Sequence, residues 1–192
     1  SALRRAAVLK LPAQRRRQVA ALYGLPTESM RERHGADGET NARLIALHET
    51  ITPFTEEFVL RQIRTATAEG ANLLIIDIDS PGGFLDSSVN IANTLAELDP
   101  RKVETVAWVR ERALSGAAIV AMGTDRIIMS PGAQLGDAGV IRETEEGGAF
   151  EHVPEKIRSP LLVTLEHLAK EKNRPAALLQ AMVDMSLQVY EV

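Results

Sequence analysis

The pattern of apolar and polar residues changes repeatedly between residues 43 and 183. Short apolar runs alternate with longer segments in which apolar residues recur every three or four positions. The short runs predict strands and the periodic segments predict amphipathic helices. This alternation is typical of an α/β domain with right-handed crossovers. The predicted strands are 43–50, 72–79, 103–109 and 126–129, and the predicted helices are 56–69, 86–98, 115–122, 155–172 and 175–183.

Two segments do not follow this alternation. Residues 1–40 are expected to be a basic N-terminal appendage and linker, with a short helix at 14–23, before a domain at 41–192. A basic arm can bind nucleic acid or anionic lipid, or can be a solvated or frayed terminus. No aromatic residues lie among its arginines, so a nucleic-acid partner is not expected. Residues 137–153 are rich in Gly and Glu and predict a mobile loop.

Composition narrows the classes of function. The chain has 192 residues and is 45% hydrophobic, which fits one folded domain rather than a disordered segment. It contains no cysteine, so disulfides, thiol catalysis and zinc–thiolate sites are excluded. It also contains no run of eighteen apolar residues of the kind that spans a bilayer. No metal or cofactor is expected.

A Pro-Gly-Gly turn follows the predicted strand at 72–79. Pro81 keeps the chain extended, and Gly82 and Gly83 allow the backbone to come close to a ligand with its N–H groups exposed. Because a helix begins a few residues later, its positive end also faces this turn. The segment therefore predicts either an oxyanion-binding loop or an ordinary tight turn.

Ser115 follows a predicted strand and begins a helix of very small residues. A nucleophile in this position would be exposed at the carboxyl end of the strand, and the N–H of Gly116 could face its oxyanion. An ordinary N-cap serine fits the same position. The nearby Pro-Gly-Gly turn favours the interpretation of Ser115 as a nucleophile over its interpretation as an N-cap.

A serine nucleophile needs a base, and two residues are candidates. Lys156 lies at the start of a predicted helix, where the helix dipole and burial would both lower the pKa of its amine. His152, in the predicted loop, is the rival base, and a surface lysine remains an alternative for Lys156. The other histidines are interpreted as structural or solvated, and the lysines at 170 and 172 as cations that suit a helix C-terminus.

Four segments together resemble the serine proteases of the Clp protease/crotonase superfamily, in particular the membrane-associated NfeD-type proteases encoded beside stomatins. The sequence is also similar to signal peptide peptidase A. The resemblance covers roughly residues 43–185. The segments are DIDSPGG at 77–83, SGAAIVAMG at 115–123, IIMSPGAQLG at 127–136 and PEKI at 154–157.

The resemblance implies a spiral of ββα units, with helices packed on a mainly parallel sheet, and a Ser–Lys dyad. Ser115 matches the nucleophile and Lys156 the base, while the N–H groups of Gly82 or Gly83 and of Gly116 match the oxyanion hole. The Ser–His–Asp triad of the Clp proteases does not carry over, because the position of its histidine is Val140.

The resemblance also implies partners and location. The expected substrate is a peptide or a hydrophobic segment of a stomatin-like membrane protein, and a homo-oligomer is expected. We expect this chain to be a soluble catalytic domain from a longer membrane-associated protein, on the extracytoplasmic side. Two alternatives on the same fold are a crotonase-type acyl-CoA enzyme and a non-catalytic scaffold for membrane partners. The order Gly116-Ala117, reversed in many relatives, and the acidic loop at 142–151 are departures from the family pattern.

Overall fold

A computed structural model of the chain describes residues 40–139, 141–143, 150–152, 155–183 and 187, with side chains described for 40–139, 160–183 and 187. The predicted helix at 14–23 and most of the predicted N-terminal appendage lie outside these ranges. The division into an appendage and a domain therefore stays a prediction.

The centre of the fold is a five-stranded parallel sheet. Strands β1 to β4 lie side by side in chain order, and β5 pairs with the last three residues of β3. Strands β6 and β7 form a separate antiparallel pair. The strands are β1 Ala42–Leu47, β2 Leu73–Ser80, β3 Glu104–Leu114, β4 Arg126–Met129, β5 Gln134–Gly136, β6 Ile141–Glu143 and β7 Phe150–His152.

Helices connect the parallel strands and follow the last strand pair. The prediction of an α/β domain with a mainly parallel sheet is confirmed. The helices are α1 Pro53–Ala68, α2 Leu85–Ala96, α3 Gly116–Met122, α4 Glu155–Glu171 and α5 Ala176–Ala181.

Local sequence signals fix both ends of α1. Thr52 is the N-cap, and its hydroxyl accepts a hydrogen bond from the N–H of Thr55 at 3.2 Å. At the C-terminal end, Gly70 has φ +79°, and the N–H of Ala71 donates to the carbonyl of Ala66 at 2.9 Å. This Schellman arrangement ends the helix and turns the chain into β2.

The core has two apolar layers. One lies between the sheet and helices α1 to α3, and the other lies between α2 and α3 on one side and α4 and α5 on the other. The second layer combines three alanines of α2 and α3 with larger side chains, among them Ile119, Met122 and the leucines of α4. Helices α2 and α3 therefore lie in the middle of the domain.

The two faces of β2 differ in a way that its apolar sequence did not predict. Leu74, Ile76 and Ile78 are fully buried against the helices. Leu73 and Ile75 face the other side of the sheet and are only partly buried. One face of β2 is therefore completely buried, and the other is only partly buried at Leu73 and Ile75.

Two predicted boundaries needed larger corrections. Strand β3 continues to Leu114, five residues beyond its predicted end, since a shift in its pairing with β2 lets its last residues pair with β5. The predicted loop at 137–153 contains β6 and β7, so it is partly regular structure. Its residues 144–149 lie outside the described ranges.

Candidate active site

Ser115 stands on a strained turn between β3 and α3. Its φ of 52° and ψ of −125° lie outside the conformations that residues with a side chain usually adopt. The side chain makes no capping hydrogen bond to α3, which argues against the N-cap interpretation. The N–H of Ser115 donates to the carbonyl of Gly136 at 2.9 Å. Such backbone strain persists only where surrounding contacts enforce it, and it is concentrated at functional sites.

Gly82 lies directly against this turn. With φ +94°, it has a conformation that favours glycine. A Cβ atom placed on it would come within 2.5 Å of the Leu114 carbonyl oxygen and 2.7 Å of Ser115 Cβ. The absence of a side chain at Gly82 therefore allows the loop after β2 to touch the candidate nucleophile.

The same loop is held on its other side by Ile51. The N–H of Ile51 donates to the carbonyl of Gly82, and the N–H of Phe84 donates to the carbonyl of Ile51, both at 2.8 Å. A Cβ on Gly83 would lie 2.1 Å from the Ile51 carbonyl oxygen, so only glycine fits there. The loop is therefore fixed by backbone contacts on both sides.

The N–H groups of the three glycines differ in their partners. The N–H of Gly82 donates to Ser80 Oγ at 3.1 Å. The N–H groups of Gly83 and Gly116 have no hydrogen-bond acceptor among residues 40–139. The two glycines are neighbours, since a Cβ on Gly116 would lie 3.4 Å from the Gly83 nitrogen. Two free donors therefore lie beside Ser115, which is the arrangement that stabilises an oxyanion.

The structure describes the backbone positions of both candidate bases. Lys156 is the second residue of α4, as predicted, and His152 is the last residue of β7 rather than part of a loop. Their side chains lie outside the described atoms, so the Ser–Lys contact stays a prediction. Pro160, within α4, has no N–H to donate to the carbonyl of Lys156, so the first turn of the helix lacks this hydrogen bond.

The histidine predicted to lie within the first strand has a different setting. His48 follows the end of β1, and its Nε2 lies 3.0 Å from Oδ2 of the buried Asp77. Arg110 also pairs with Asp77 through both its Nε and its terminal nitrogen and covers the ring of Trp108 at 4.9 Å. Arg110 lies on β3, five residues before Ser115. The ion-pair group of His48, Asp77 and Arg110 is therefore part of the sheet that precedes the serine turn.

Residues that support the serine turn were missed in the sequence. Ser80 accepts from Gly82 and also donates to the carbonyl of Glu49 at 2.6 Å, which fixes the start of the Pro-Gly-Gly turn. Ser88 lies behind Gly116, where its Oγ would be 2.1 Å from an added Cβ. Ser80 could have been suspected from its place before Pro81, but no local pattern points to Ser88.

The described residues contain no group of three His, Asp or Glu side chains placed to hold a metal ion. None of the helices described here combines the length and the apolar character needed to cross a bilayer.

The fold and the site define a class of protein. Two solved structures share the fold: an alanine mutant of the 1510-N membrane-bound stomatin-specific protease, with TM-score 0.70 and 24% identity, and ClpP1 from Listeria monocytogenes, with TM-score 0.52 and 14% identity. The matches cover 78% and 73% of this chain, and 72% and 78% of the respective structures. The domain therefore has the Clp protease-like fold.

Sequence comparison gives the family. The model of the NfeD1b N-terminal domain matches residues 41–192, so the chain belongs to this family. Membrane protein NfeD1b of Bacillus subtilis is 29% identical over 149 residues, and membrane-bound protease PH1510 of Pyrococcus horikoshii is 27% identical over 142 residues. These matches cover 78% and 72% of this chain, but only 32% of each relative. The chain thus spans about a third of the length of these curated relatives.

Proposed function

We propose that this domain is a serine endopeptidase in which Ser115 is the nucleophile and Lys156 the general base. The observation that carries the proposal is the strained turn at Ser115, with the free N–H groups of Gly83 and Gly116 beside it. A serine held out of its usual conformation beside two free donors is expected at an acyl-transfer site, not at a helix cap.

The reaction follows from these roles. Ser115 Oγ attacks the carbonyl carbon of the scissile peptide bond while Lys156 Nζ takes its proton. The carbonyl oxygen becomes an oxyanion and accepts hydrogen bonds from Gly83 and Gly116. Lys156 then gives the proton to the leaving amine as the C–N bond breaks. A water molecule, deprotonated by Lys156, then attacks the acyl carbon. The bond between this carbon and Ser115 Oγ breaks, the peptide acid leaves, and Lys156 returns the proton to Ser115 Oγ.

The names of two related structures support the lysine and the peptide substrate. The 1510-N protease has been solved with a serine replaced by alanine, and with a lysine replaced by alanine in complex with a substrate peptide. The two replaced positions are 41 residues apart in that protein, which is also the separation of Ser115 and Lys156. We therefore prefer Lys156 to His152 as the base.

The substrate class and the cellular setting are part of the same proposal. A related protease is named as stomatin-specific and membrane-bound, so we propose a hydrophobic segment of a stomatin-like membrane protein as the substrate. We also propose that the longer protein is membrane-associated, with this domain on the extracytoplasmic side, and that the domain forms a homo-oligomer.

The test is hydrolysis of an internally quenched apolar peptide. Ser115→Ala and Lys156→Ala should each lower kcat by about 10⁴-fold or more, because both groups act in the same steps. His152→Ala should keep most of the activity. Lys170→Ala is the matched control, since Lys170 is an exposed lysine at the other end of α4.

Three outcomes would contradict the proposal. Loss of activity in His152→Ala but not in Lys156→Ala would make the histidine the base. Binding of coenzyme A together with Ser115-independent turnover of an acyl-CoA would favour the crotonase-type alternative. Absence of any Ser115-dependent hydrolysis would favour the non-catalytic scaffold.

A further inference from the structure

A buried ion pair lies at the end of α4 remote from Lys156. Lys172 immediately follows the helix, and its Nζ is 2.8 Å from Asp125 Oδ1 and 3.4 Å from the carbonyl oxygen of Leu95 near the end of α2. The side chain of Lys172 is 3% exposed and that of Asp125 is 14% exposed. A lysine is rarely buried to this extent unless it is paired, so this position is specialised.

A second cation from the same turn reaches α3. Arg174 donates from a terminal guanidinium nitrogen to the carbonyl oxygen of Met122, the last residue of α3, at 2.8 Å. Burial lowers the pKa of Arg174 below its usual value. Lys172 and Arg174 thus bind carbonyl groups at the C-terminal ends of α2 and α3, which are the negative ends of helices.

The turn that carries the two cations has a fixed shape. Asn173 has φ 50°, and the N–H of Arg174 donates to the carbonyl of Ala169 at 2.8 Å. This is a Schellman ending in which asparagine takes the place usually held by glycine. Because the turn is fixed relative to α4, the positions of the two cations also fix the position of that helix.

Asp125 connects this arrangement to the sheet. Its Oδ2 accepts hydrogen bonds from the N–H and the hydroxyl of Thr105 near the start of β3, both at 2.7 Å. Its own N–H donates to Thr105 Oγ1 at 2.8 Å. Ser115 lies at the other end of β3. The end of α4 is therefore tied to the same strand that leads to the candidate nucleophile.

Apolar contacts are non-directional, so those of α4 determine its position along the axis less sharply than the polar contacts do. The buried leucines of α4 pack in a cluster to which α2 and α3 contribute three alanines together with Ile119 and Met122. A shift of one residue along the helix axis, about 1.5 Å, would break the 2.8 Å ion pair. Buried ion pairs contribute little net stability, and fixing the register between elements is their best-attested use.

We infer that Asp125, Lys172 and Arg174 form a clamp that positions α4 and, through this helix, places Lys156 against Ser115. Lys156 and Lys172 are 16 residues apart, or about 24 Å along a continuous helix. The N-terminal ends of α2 and α3 begin at the Pro-Gly-Gly loop and at Ser115, and the clamp binds their opposite ends. The inference rests on the proposed function, and the three residues are positioning residues.

The test compares two substrates of the same nucleophile. Both substrates need Lys156 to take the proton of Ser115, but only the peptide amide also needs Lys156 to deliver a proton to its leaving amine, because p-nitrophenolate departs without one. Lys172→Met removes the charge and keeps most of the stem. Measured well below its melting temperature, this variant should lose about tenfold in kcat on the peptide, and no more than threefold on the ester. KM should stay within twofold, and Lys172→Arg should restore most of the loss.

The controls separate positioning from stability. Lys170→Met makes the same change two residues away at an exposed site and should behave like the wild type. Arg174→Met tests the other cation and serves if Lys172→Met does not fold. A loss in Lys172→Met that Lys172→Arg does not reduce, or no loss in either clamp variant while Ser115-dependent hydrolysis persists in the wild type, would overturn the clamp alone. Absence of that hydrolysis in the wild type would overturn the proposed function and the clamp with it.

Discussion

The two halves of the candidate site are built in different ways. The serine half, formed by Gly82, Gly83, Ser115 and Gly116, is held by backbone contacts between segments that touch one another. The proposed lysine half is the first turn of α4, which lacks one hydrogen bond at Pro160, and the other end of this helix is tied to the domain by the ion pair at Lys172. The serine half is held by contacts within the site itself, whereas the lysine half is held by contacts at the opposite end of α4.

This difference indicates where each half tolerates change. An added atom in the serine half meets backbone that cannot move, so the cost appears in the stability of the fold. A change in the lysine half alters the position of a helix, so the cost appears in the rate of the reaction. An added atom in the serine half should therefore lower the stability of the fold, whereas a change at the clamp should lower the reaction rate.

The largest expected effect on stability is that of Gly82→Ala. Its Cβ would lie within 2.7 Å of three atoms of residues 114–116, and φ is +94°, so the unfolding free energy should fall by about 3 kcal/mol. Gly132→Ala is the matched control, because φ is +82° there but no atom lies within 4 Å. It should lose only about 1 kcal/mol. Equal losses in urea unfolding would show that the serine half is not closely packed.

The strain at Ser115 gives the next effect. Ser115→Gly should be more stable than Ser115→Ala by about 1 kcal/mol, since glycine accepts φ 52° and ψ −125° without strain. Ser87, buried within α2, is the control and should show the opposite order, because glycine weakens a helix. Thermal unfolding of the four variants measures both differences. The same order at both positions would argue against strain at Ser115.

A smaller gain is expected in the lysine half. Pro160→Ala restores an N–H that can donate to the carbonyl of Lys156, so the unfolding free energy should rise by about 1 kcal/mol. Pro175→Ala, at the N-cap of α5, restores no such bond and should bring no gain. Denaturant unfolding compares them. If Pro160→Ala is neutral or destabilising, the missing hydrogen bond does not weaken the first turn of α4.

The smallest effect is expected outside both halves. Asp99 accepts two hydrogen bonds from the side chain of Arg101, which lowers the pKa of its carboxyl group to about 2. A lowered pKa contributes stability above the ordinary value near 4, and this is lost as the pH falls through about 2. An NMR titration of Asp99 should show this midpoint, and Arg101→Ala should return it towards the ordinary value. Peptide hydrolysis at neutral pH should not change, and a change would mean that the site extends to this turn.

The turns that form the proposed serine half were easier to predict from the sequence than the rest of the fold, for a physical reason. The Pro-Gly-Gly turn and Ser115 each combine a strand end with small residues, and both signals are local. The predicted end of β3 at residue 109 fell short because Arg110 and Arg112 interrupt its apolar run, whereas in the fold these arginines pair with Asp77 and Asp79 of β2.

The remaining errors come from contacts between segments distant in the sequence. Strands β5, β6 and β7 have three residues each, which is too short for an alternating pattern of apolar and polar residues to predict them. Lys172 was interpreted as a cation at the end of its own helix, but its partners Asp125 and Leu95 belong to other elements. Only the fold brings these groups together.

The most direct test of the Ser–Lys site is the rate at which a fluorophosphonate labels Ser115, followed by peptide mapping. The wild type should be labelled at Ser115, Lys156→Ala should be labelled about 100-fold more slowly, and His152→Ala should retain the wild-type rate. Labelling that is unchanged in Lys156→Ala and lost in His152→Ala, or that occurs at another serine, would contradict the account.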